Sequence, residues 1–328
     1  MKAIVFDDFG SADVLRLADV SMPELRSDDL LVKVMAAGVN RADLLQREGV
    51  YGSQTYGDSS ILGLEVAGEV IAVGNAVSGF AVGDQVMGIV GGGAYAQYAR
   101  LDSGMATIIP HGMSFTEAAA VMESFVTAWE ALSHLGRISR GDTVLIHAAA
   151  GGIGSAAVQL AKAHGATVLA TASADNIENV LSLRAHAVVD YRQVDFEAEV
   201  IEFTASRGAD LIVDFIGGSY LARNIRSLAP GGRLVQVGLL GRDDNAIIPL
   251  GTVLHNHLQL MGTVMKSRPR SDKRAMVQRF QDQILPQVGK ELHPIIGAHY
   301  PLSAASDAHR RMEAGGVFGK IVLGDFHA

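Results

Sequence analysis

From Asp142 onward, short apolar runs rich in β-branched residues alternate with stretches of helical pattern. The run TVLIHA is followed by SAAVQLAKAHG, ATVLATA, a helix beginning near Asp175, and AVVDY; a second set comprises FEAEVIEFTASRG, ADLIVDFIGG, YLARNIRSLAPGG and RLVQVGLLG. Strands that alternate with helices need crossover connections, which makes the sheet parallel and covers both of its faces with helices. The chain is therefore expected to be α/β, with a doubly wound parallel sheet of the nucleotide-binding kind.

The first strand-to-helix turn of this run is AAAGGIGSAA, Ala148 to Ala157. Glycines there let backbone amides approach a pyrophosphate, and the following helix adds its N-terminal dipole and free N–H groups. Against the GxGxxG fingerprint, Ala149 takes the first position, Gly151 the second and Gly154 the third. NAD-binding sheets place a carboxylate at the tip of the second strand for the ribose 2'-hydroxyl. Here that strand ends Thr171, Ala172, Ser173, a sequence that tolerates a 2'-phosphate, although Asp175 argues the other way.

At 328 residues the chain has the length of about two domains. From Met1 to about Pro110, glycine-punctuated runs such as LLVKVMAAGVN and ILGLEVAGEVIAVG predict a compact, mostly β domain. Helical pattern begins near Thr116, with Ser114 or Thr116 as cap before Glu117. A helix from about Asp272 to Gln287 precedes a closing strand, helix, strand. The net charge of -8 and the lack of a long Lys/Arg run argue against a nucleic-acid partner. The basic group Arg268, Arg270, Lys273 and Arg274 reads as a solvated loop and helix start. Cysteine is absent, which removes disulfides, cysteine nucleophiles and thiolate zinc sites. The N-terminus lacks a secretory pattern, and the most apolar stretch, Thr143 to Ala172, is broken by glycines and Lys162; no membrane partner and a cytoplasmic location are expected.

Taken together, GVNRADLLQREGVY, GLEVAGEV, AAAGGIG and DFIGGSY resemble the medium-chain dehydrogenase/reductase superfamily. The chain looks like its zinc-free, zeta-crystallin-like quinone oxidoreductases, and GGGAYAQY, QILP and GKIVL match the stress-inducible NADPH quinone oxidoreductase subgroup. The resemblance implies a GroES-like domain from residues 1–122 completed by a tail from 291–328, with a Rossmann domain from 123–290 between. It also implies a homodimer or homotetramer. In zinc-dependent members the positions of Asn40 and Leu64 carry cysteine and histidine ligands, and the third ligand falls near Glu123 and Ser124. No metal is expected here; His255 and His257, two apart in a strand or loop, read as structural or surface residues.

By the same resemblance, Asn40 and Thr127 line the nicotinamide site and Tyr51 faces the substrate as hydrogen-bond donor or proton source; these are the catalytic candidates. Arg41 is read as reaching the pyrophosphate or a surface salt bridge. The cofactor-binding set adds Ala149, Gly151, Gly152, Ile153 and Gly154 at the pyrophosphate, and Ser173 and Tyr191 at the adenosine ribose and its phosphate. Relatives carry a lysine where this chain has Asn176, and Arg192 is positioned to compensate. Gly217, Val237, Gly238, Leu239 and Leu240 sit at later strand ends, and Lys320 approaches from the tail or caps a strand. The implied cofactor is NADPH, with NADH possible. Three functions stand open: hydride transfer to a quinone, reduction of the C=C bond of an enone, alkenal or acyl thioester, and cofactor binding without turnover.

Overall fold

The computed structural model describes residues 1–51 and 59–327; most of the segment 52–60, which by the family resemblance is expected to border the substrate, lies outside the described residues. The chain forms two compact units, Met1–Val126 with Lys266–Ala328, and Thr127–Met265.

The first unit is β-rich. β1 (Lys2–Val5) pairs antiparallel with β2 (Arg16–Asp19). β3 (Asp29–Val39) is the centre of a larger sheet, pairing antiparallel with β4 (Glu65–Val73), which pairs with β5 (Gln85–Ile89). β6 (Tyr98–Asp102) joins β3 and β7 (Ala106–Ile108) joins β5. Register shifts along the β3–β4 ladder, at Leu31/Val32 and Val34/Ala36, mark bulges that bend β3. Ser114 caps the short helix after β7, its hydroxyl accepting from Glu117 N–H at 3.2 Å, so of the two caps the sequence allowed, serine is used.

The second unit holds six parallel strands: β8 (Thr143–Ile146), β9 (Thr167–Ala172), β10 (Ala187–Asp190), β11 (Ala209–Asp214), β12 (Leu228–Gln236) and β13 (Gln259–Gly262). Their spatial order is β10-β9-β8-β11-β12-β13, the doubly wound Rossmann arrangement, with the order reversing between β8 and β11. Leu145, Leu169, Phe196, Val200, Ile212 and Leu234 pack into one buried core. β13 is an edge strand, and the helix Leu250–His255 before it presents Leu250 and Leu254 at 71% and 70% exposure. His255 ends that helix and His257 lies in the following turn, not in a strand.

Two last strands return to the first unit: β14 (Ile296–Pro301) pairs parallel with β15 (Lys320–Gly324), and β15 pairs antiparallel with β3. The helix Arg270–Gln283 also belongs to this unit, whereas the resemblance implied a Rossmann domain running to Lys290. Two interactions account for its position. Met276, Val277 and Phe280 are buried, and Arg274 bonds Asp102 at 2.6 Å and Asp28 at 3.0 Å, with Arg270 also paired to Asp28 and Asp102. Arg270 and Arg274 of the basic group are thus tied into an ion network of this unit.

Candidate active site

In the second unit the cofactor candidates fall at the carboxyl ends of successive strands, the edge where open α/β sheets bind ligands. After β8 the chain turns through Ala148, held at φ 47°, and Gly151 caps the helix Gly152–Ala163. Gly154 is needed for packing: a Cβ there would press into the Ala148 carbonyl oxygen and lie 2.7 Å from Ala149 Cα. Gly151 is different, because its Cβ would meet nothing nearer than Ala148 O at 3.4 Å. The N–H groups of Gly152, Ile153 and Gly154 stand in the first helical turn, where no intrahelical acceptor is available. This cradle suits a pyrophosphate.

Ser173 follows β9, and Tyr191 with Arg192 follows its neighbour β10, where Asp190 pairs with Ala172. The Arg192 guanidinium lies 5.6 Å from the centre of the Tyr191 ring. Asn176 is buried, donating to Ser173 Oγ at 3.4 Å and accepting from Asn179 Nδ2 at 3.1 Å, so it does not replace a surface lysine. Gly217 follows β11 at φ 72°, and Val237–Leu240 follow β12 with Leu239 and Leu240 exposed.

A buried chain that no local motif announced braces these strand ends. His147, fully buried, contacts Thr171 Oγ1 at 3.0 Å and Asn224 Oδ1 at 2.7 Å; Asn224 in turn donates to Asp214 at 3.0 Å. Asp214 accepts from the N–H of Ile216 at 2.7 Å and of Gly217 at 3.2 Å. Burial keeps the His147 pKa below its ordinary value, so its neutral ring serves as a strut between the Ala148 turn and the Gly217 turn.

The first unit holds a second buried polar cluster around Asn40. Lys320, on β15, donates to Asn40 Oδ1 at 2.6 Å and pairs with Glu65 Oε1 at 2.5 Å; Asn40 Nδ2 also donates to Glu65 Oε1, at 3.1 Å. The Glu123 N–H donates to Glu65 Oε2 at 2.9 Å. Asp43 accepts from Asn40 N–H at 2.8 Å, Gly63 N–H at 3.2 Å and Tyr95 OH at 3.0 Å. Behind Tyr95 the chain continues to His309 at 3.2 Å, then to Arg47 at 3.4 Å, whose guanidinium pairs with Glu313 at 2.6 Å. Because Arg47 can only donate, His309 Nδ1 accepts, leaving its Nε2–H for Tyr95 and the Tyr95 hydroxyl for Asp43. Burial first, and then the Arg47 charge, lower the His309 pKa to about 3. Arg41 donates to Met312 O at 3.1 Å, on the tail helix.

Tyr51 is half-buried, and its phenol pKa is raised, by burial first and then by the charges of Glu123 and Asp43. In the second unit, Thr127 Oγ1 is buried without a hydrogen-bond partner; Ser124 Oγ in the first unit is in the same condition. An orphaned hydroxyl costs stability unless a ligand satisfies it, and Thr127 thereby fits a cofactor contact.

Burial pushes Asp43 up to about 6; burial and the Glu65 carboxylate push Glu123 up to about 8. Both acids bind protons more tightly in the folded state, so each contributes stability that is lost as pH rises toward its folded pKa. For Glu123 the window runs from the unfolded value of 4.5 to about 8. A Glu123→Gln variant is expected to melt progressively higher than wild type as pH is raised from 5 to 8. Parallel Tm–pH profiles would refute this.

The fold is matched by known proteins. An alcohol dehydrogenase GroES-like domain model matches residues 26–111, and a zinc-binding dehydrogenase model matches residues 152–282. Human quinone oxidoreductase is 32% identical over 98% of this chain and 97% of its own length. The chain belongs to the medium-chain dehydrogenase/reductase superfamily. Among solved members, the quinone oxidoreductase from Coxiella burnetii superposes with a TM-score of 0.80 at 31% identity, covering 99% of both chains. CurK enoyl reductase superposes at 0.86 with 28% identity, covering 98% of each. It is an oxidoreductase of this superfamily, whose quinone oxidoreductases use a nicotinamide cofactor.

The second family model carries zinc in its name, and the donors at the ligand positions do not suit that metal. Leu64 offers an alkyl group, and Asn40 Oδ1 already accepts from the Lys320 ammonium, whose charge opposes a second cation.

Proposed function

We propose that the chain is an NADPH-dependent quinone oxidoreductase that transfers hydride without zinc. The carrying observation is the Lys320–Asn40–Glu65 cluster beside Leu64: of the two positions that the resemblance equates with zinc ligands, one is an amide whose oxygen already accepts from an ammonium and the other is an alkyl group. A simple ketone needs a Lewis acid or proton relay to stabilise its developing alkoxide, whereas a quinone delocalises that charge over its ring. The human relative's name supports the same class of acceptor.

When bound, the reduced nicotinamide supplies hydride from C4. The chain's own part is positional. Thr127 Oγ1 and Asn40 hold the nicotinamide end, Gly151 to Gly154 cradle the pyrophosphate, and Tyr51 hydrogen-bonds the acceptor. Ser173, Tyr191 and Arg192 meet the 2'-phosphate. An Arg192→Ala variant is expected to lower the NADPH-over-NADH ratio of kcat/KM about tenfold, the loss of one charge-assisted bond. An unchanged ratio removes Arg192 from the reading, and a wild-type preference for NADH removes the 2'-phosphate assignment.

Enone reduction is the second reading, favoured by the likeness to an enoyl reductase. Steady-state turnover with 1,4-benzoquinone, 9,10-phenanthrenequinone and a set of enones separates the two; saturable enone reduction with inert quinones overturns the first. Tight NADPH binding with no turnover of any acceptor would identify a binding protein instead.

We further propose a cytoplasmic homodimer or homotetramer, supported by the edge strand β13 and exposed Leu250 and Leu254. No helix among the described residues is long and apolar enough to cross a membrane. Leu250→Asp with Leu254→Asp is expected to give a monomer by sedimentation.

A further inference from the structure

Lys266 is the first residue of the chain's return to the first unit. Its ammonium donates to Gln46 Oε1 at 3.1 Å, on the helix Arg41–Arg47, and lies 4.8 Å from the centre of the Tyr51 ring. Among the described residues these contacts are an amide and an aromatic face. Both orient the cation without neutralising it. A half-buried lysine seated in this way gains less than one held in an ion pair, and lysine responds to such surroundings by giving up its proton more readily.

The groups around it set the balance. Burial first, with Lys273 on the helix Arg270–Gln283, lowers the Lys266 pKa; Asp43 on the helix Arg41–Arg47 and Glu123 on the helix Met122–Trp129 oppose that shift. The same two acids, with burial, raise the Tyr51 phenol. The two neighbours are therefore driven in opposite directions. Tyr51 keeps its proton, and the amine beside its ring becomes the better acid.

We propose that Lys266, oriented by Gln46 and the Tyr51 ring, supplies the proton taken up by the acceptor's oxygen, while Tyr51 hydrogen-bonds and orients that oxygen. The proposal rests on the reading of Tyr51 as the acceptor-facing residue. In quinone reduction the new C–H bond at the ring carbon takes both electrons from the breaking C4–H bond of the nicotinamide. The conjugated π electrons move onto oxygen, and an O–H bond forms as one Nζ–H bond of Lys266 breaks. The neutral amine recovers a proton from water, and the product tautomerises to the hydroquinone without further electron transfer. The active form is the ammonium, so kcat holds at low pH and falls as pH rises through the Lys266 pKa.

Two readouts test this. In the first, 4-nitrophenol is titrated against the full protein with oxidised NADP present, its phenolate standing for the acceptor's oxyanion and reporting its own ionisation by visible absorbance. Wild type and Lys266→Arg are expected to bind the phenolate and lower its apparent pKa. Lys266→Met is expected to lose about tenfold or more in that affinity, the scale of one charge-assisted contact. Its affinity for the reduced nicotinamide, read by fluorescence, should be unchanged. In the second, kcat with 9,10-phenanthrenequinone falls about a hundredfold in Lys266→Met, the usual range for a lost general acid. The alkaline limb vanishes in Lys266→Arg, since arginine does not release a proton, and persists in Tyr51→Phe. Wild-type phenolate binding or wild-type kcat in Lys266→Met overturns the proposal, as does loss of the limb in Tyr51→Phe. A wild type that reduces neither quinones nor enones sinks the functional reading alone, because the phenolate titration still decides the role of Lys266.

Discussion

A Gly154→Ala variant is expected to bind reduced nicotinamide at least about a hundredfold more weakly than wild type and to melt at lower temperature. The added methyl would press into the Ala148 carbonyl oxygen and stand 2.7 Å from Ala149 Cα, both backbone atoms that no rotamer change can move. Ala148 already occupies the left-handed region, so the turn has little freedom left to absorb the displacement. Overpacking of this kind costs about 1–3 kcal/mol of stability. Displacing the first-turn N–H groups removes charge-assisted bonds to phosphate worth about 1.5–3 kcal/mol each, and two of them account for a hundredfold. Gly151→Ala serves as the control, because its Cβ would meet only ordinary contact at 3.4 Å. That variant should hold the wild-type Tm while losing affinity where the backbone approaches the pyrophosphate. Fluorescence titration and thermal melts read the pair; wild-type affinity in Gly154→Ala would show that the turn does not bind the cofactor.

Lys320→Met is expected to destabilise the first unit by about 3–5 kcal/mol, the range for breaking a buried pair from one side. Glu65 is fully buried, with Asn40 and the Glu123 N–H as its remaining partners, and Glu123 is itself acidic. Without the ammonium, the carboxylate must be desolvated unpaired or take up a proton. Adding Glu65→Gln to Lys320→Met removes the stranded charge and should recover most of the loss. Urea midpoints for wild type, both single variants and the double variant form the cycle. A double variant no more stable than Lys320→Met would mean that packing of the lysine stem, not charge, sets the effect.

The parallel sheet was legible because its signal is local and repeated. Each strand is a short β-branched run, and each glycine or polar break falls between elements, so the order of strands and helices in the second unit follows from pattern alone. The turn at Ala148 to Gly154 was legible for the same reason. The cluster around Asn40 was not, because Lys320 meets Asn40 across 280 positions, and Tyr95 meets His309 across 214. One signal was available. Glu65 interrupts the apolar run ILGLEVAGEV, and Lys320 opens the apolar KIVL; charges at buried strand positions require partners. Lys266 carried no such mark, lying in a polar stretch beside other basic residues, and only the ring of Tyr51 beneath it distinguishes it.

The pairing of β15 with β3 also has a consequence for how the protein is made. Residues Thr127–Met265 are contiguous, so the second unit can complete its contacts while the ribosome is still adding the remainder of the chain. The first unit has no such opportunity. Its central strand leaves the tunnel early, whereas the histidine that secures Tyr95 follows 214 positions behind it and the lysine that neutralises Glu65 comes later still. Until those residues emerge, β3 and β4 therefore wait as a half-built sheet with an open flank and uncompensated acids, and a ribosome that stalls before Lys320 leaves a folded Rossmann unit attached to an unfinished one.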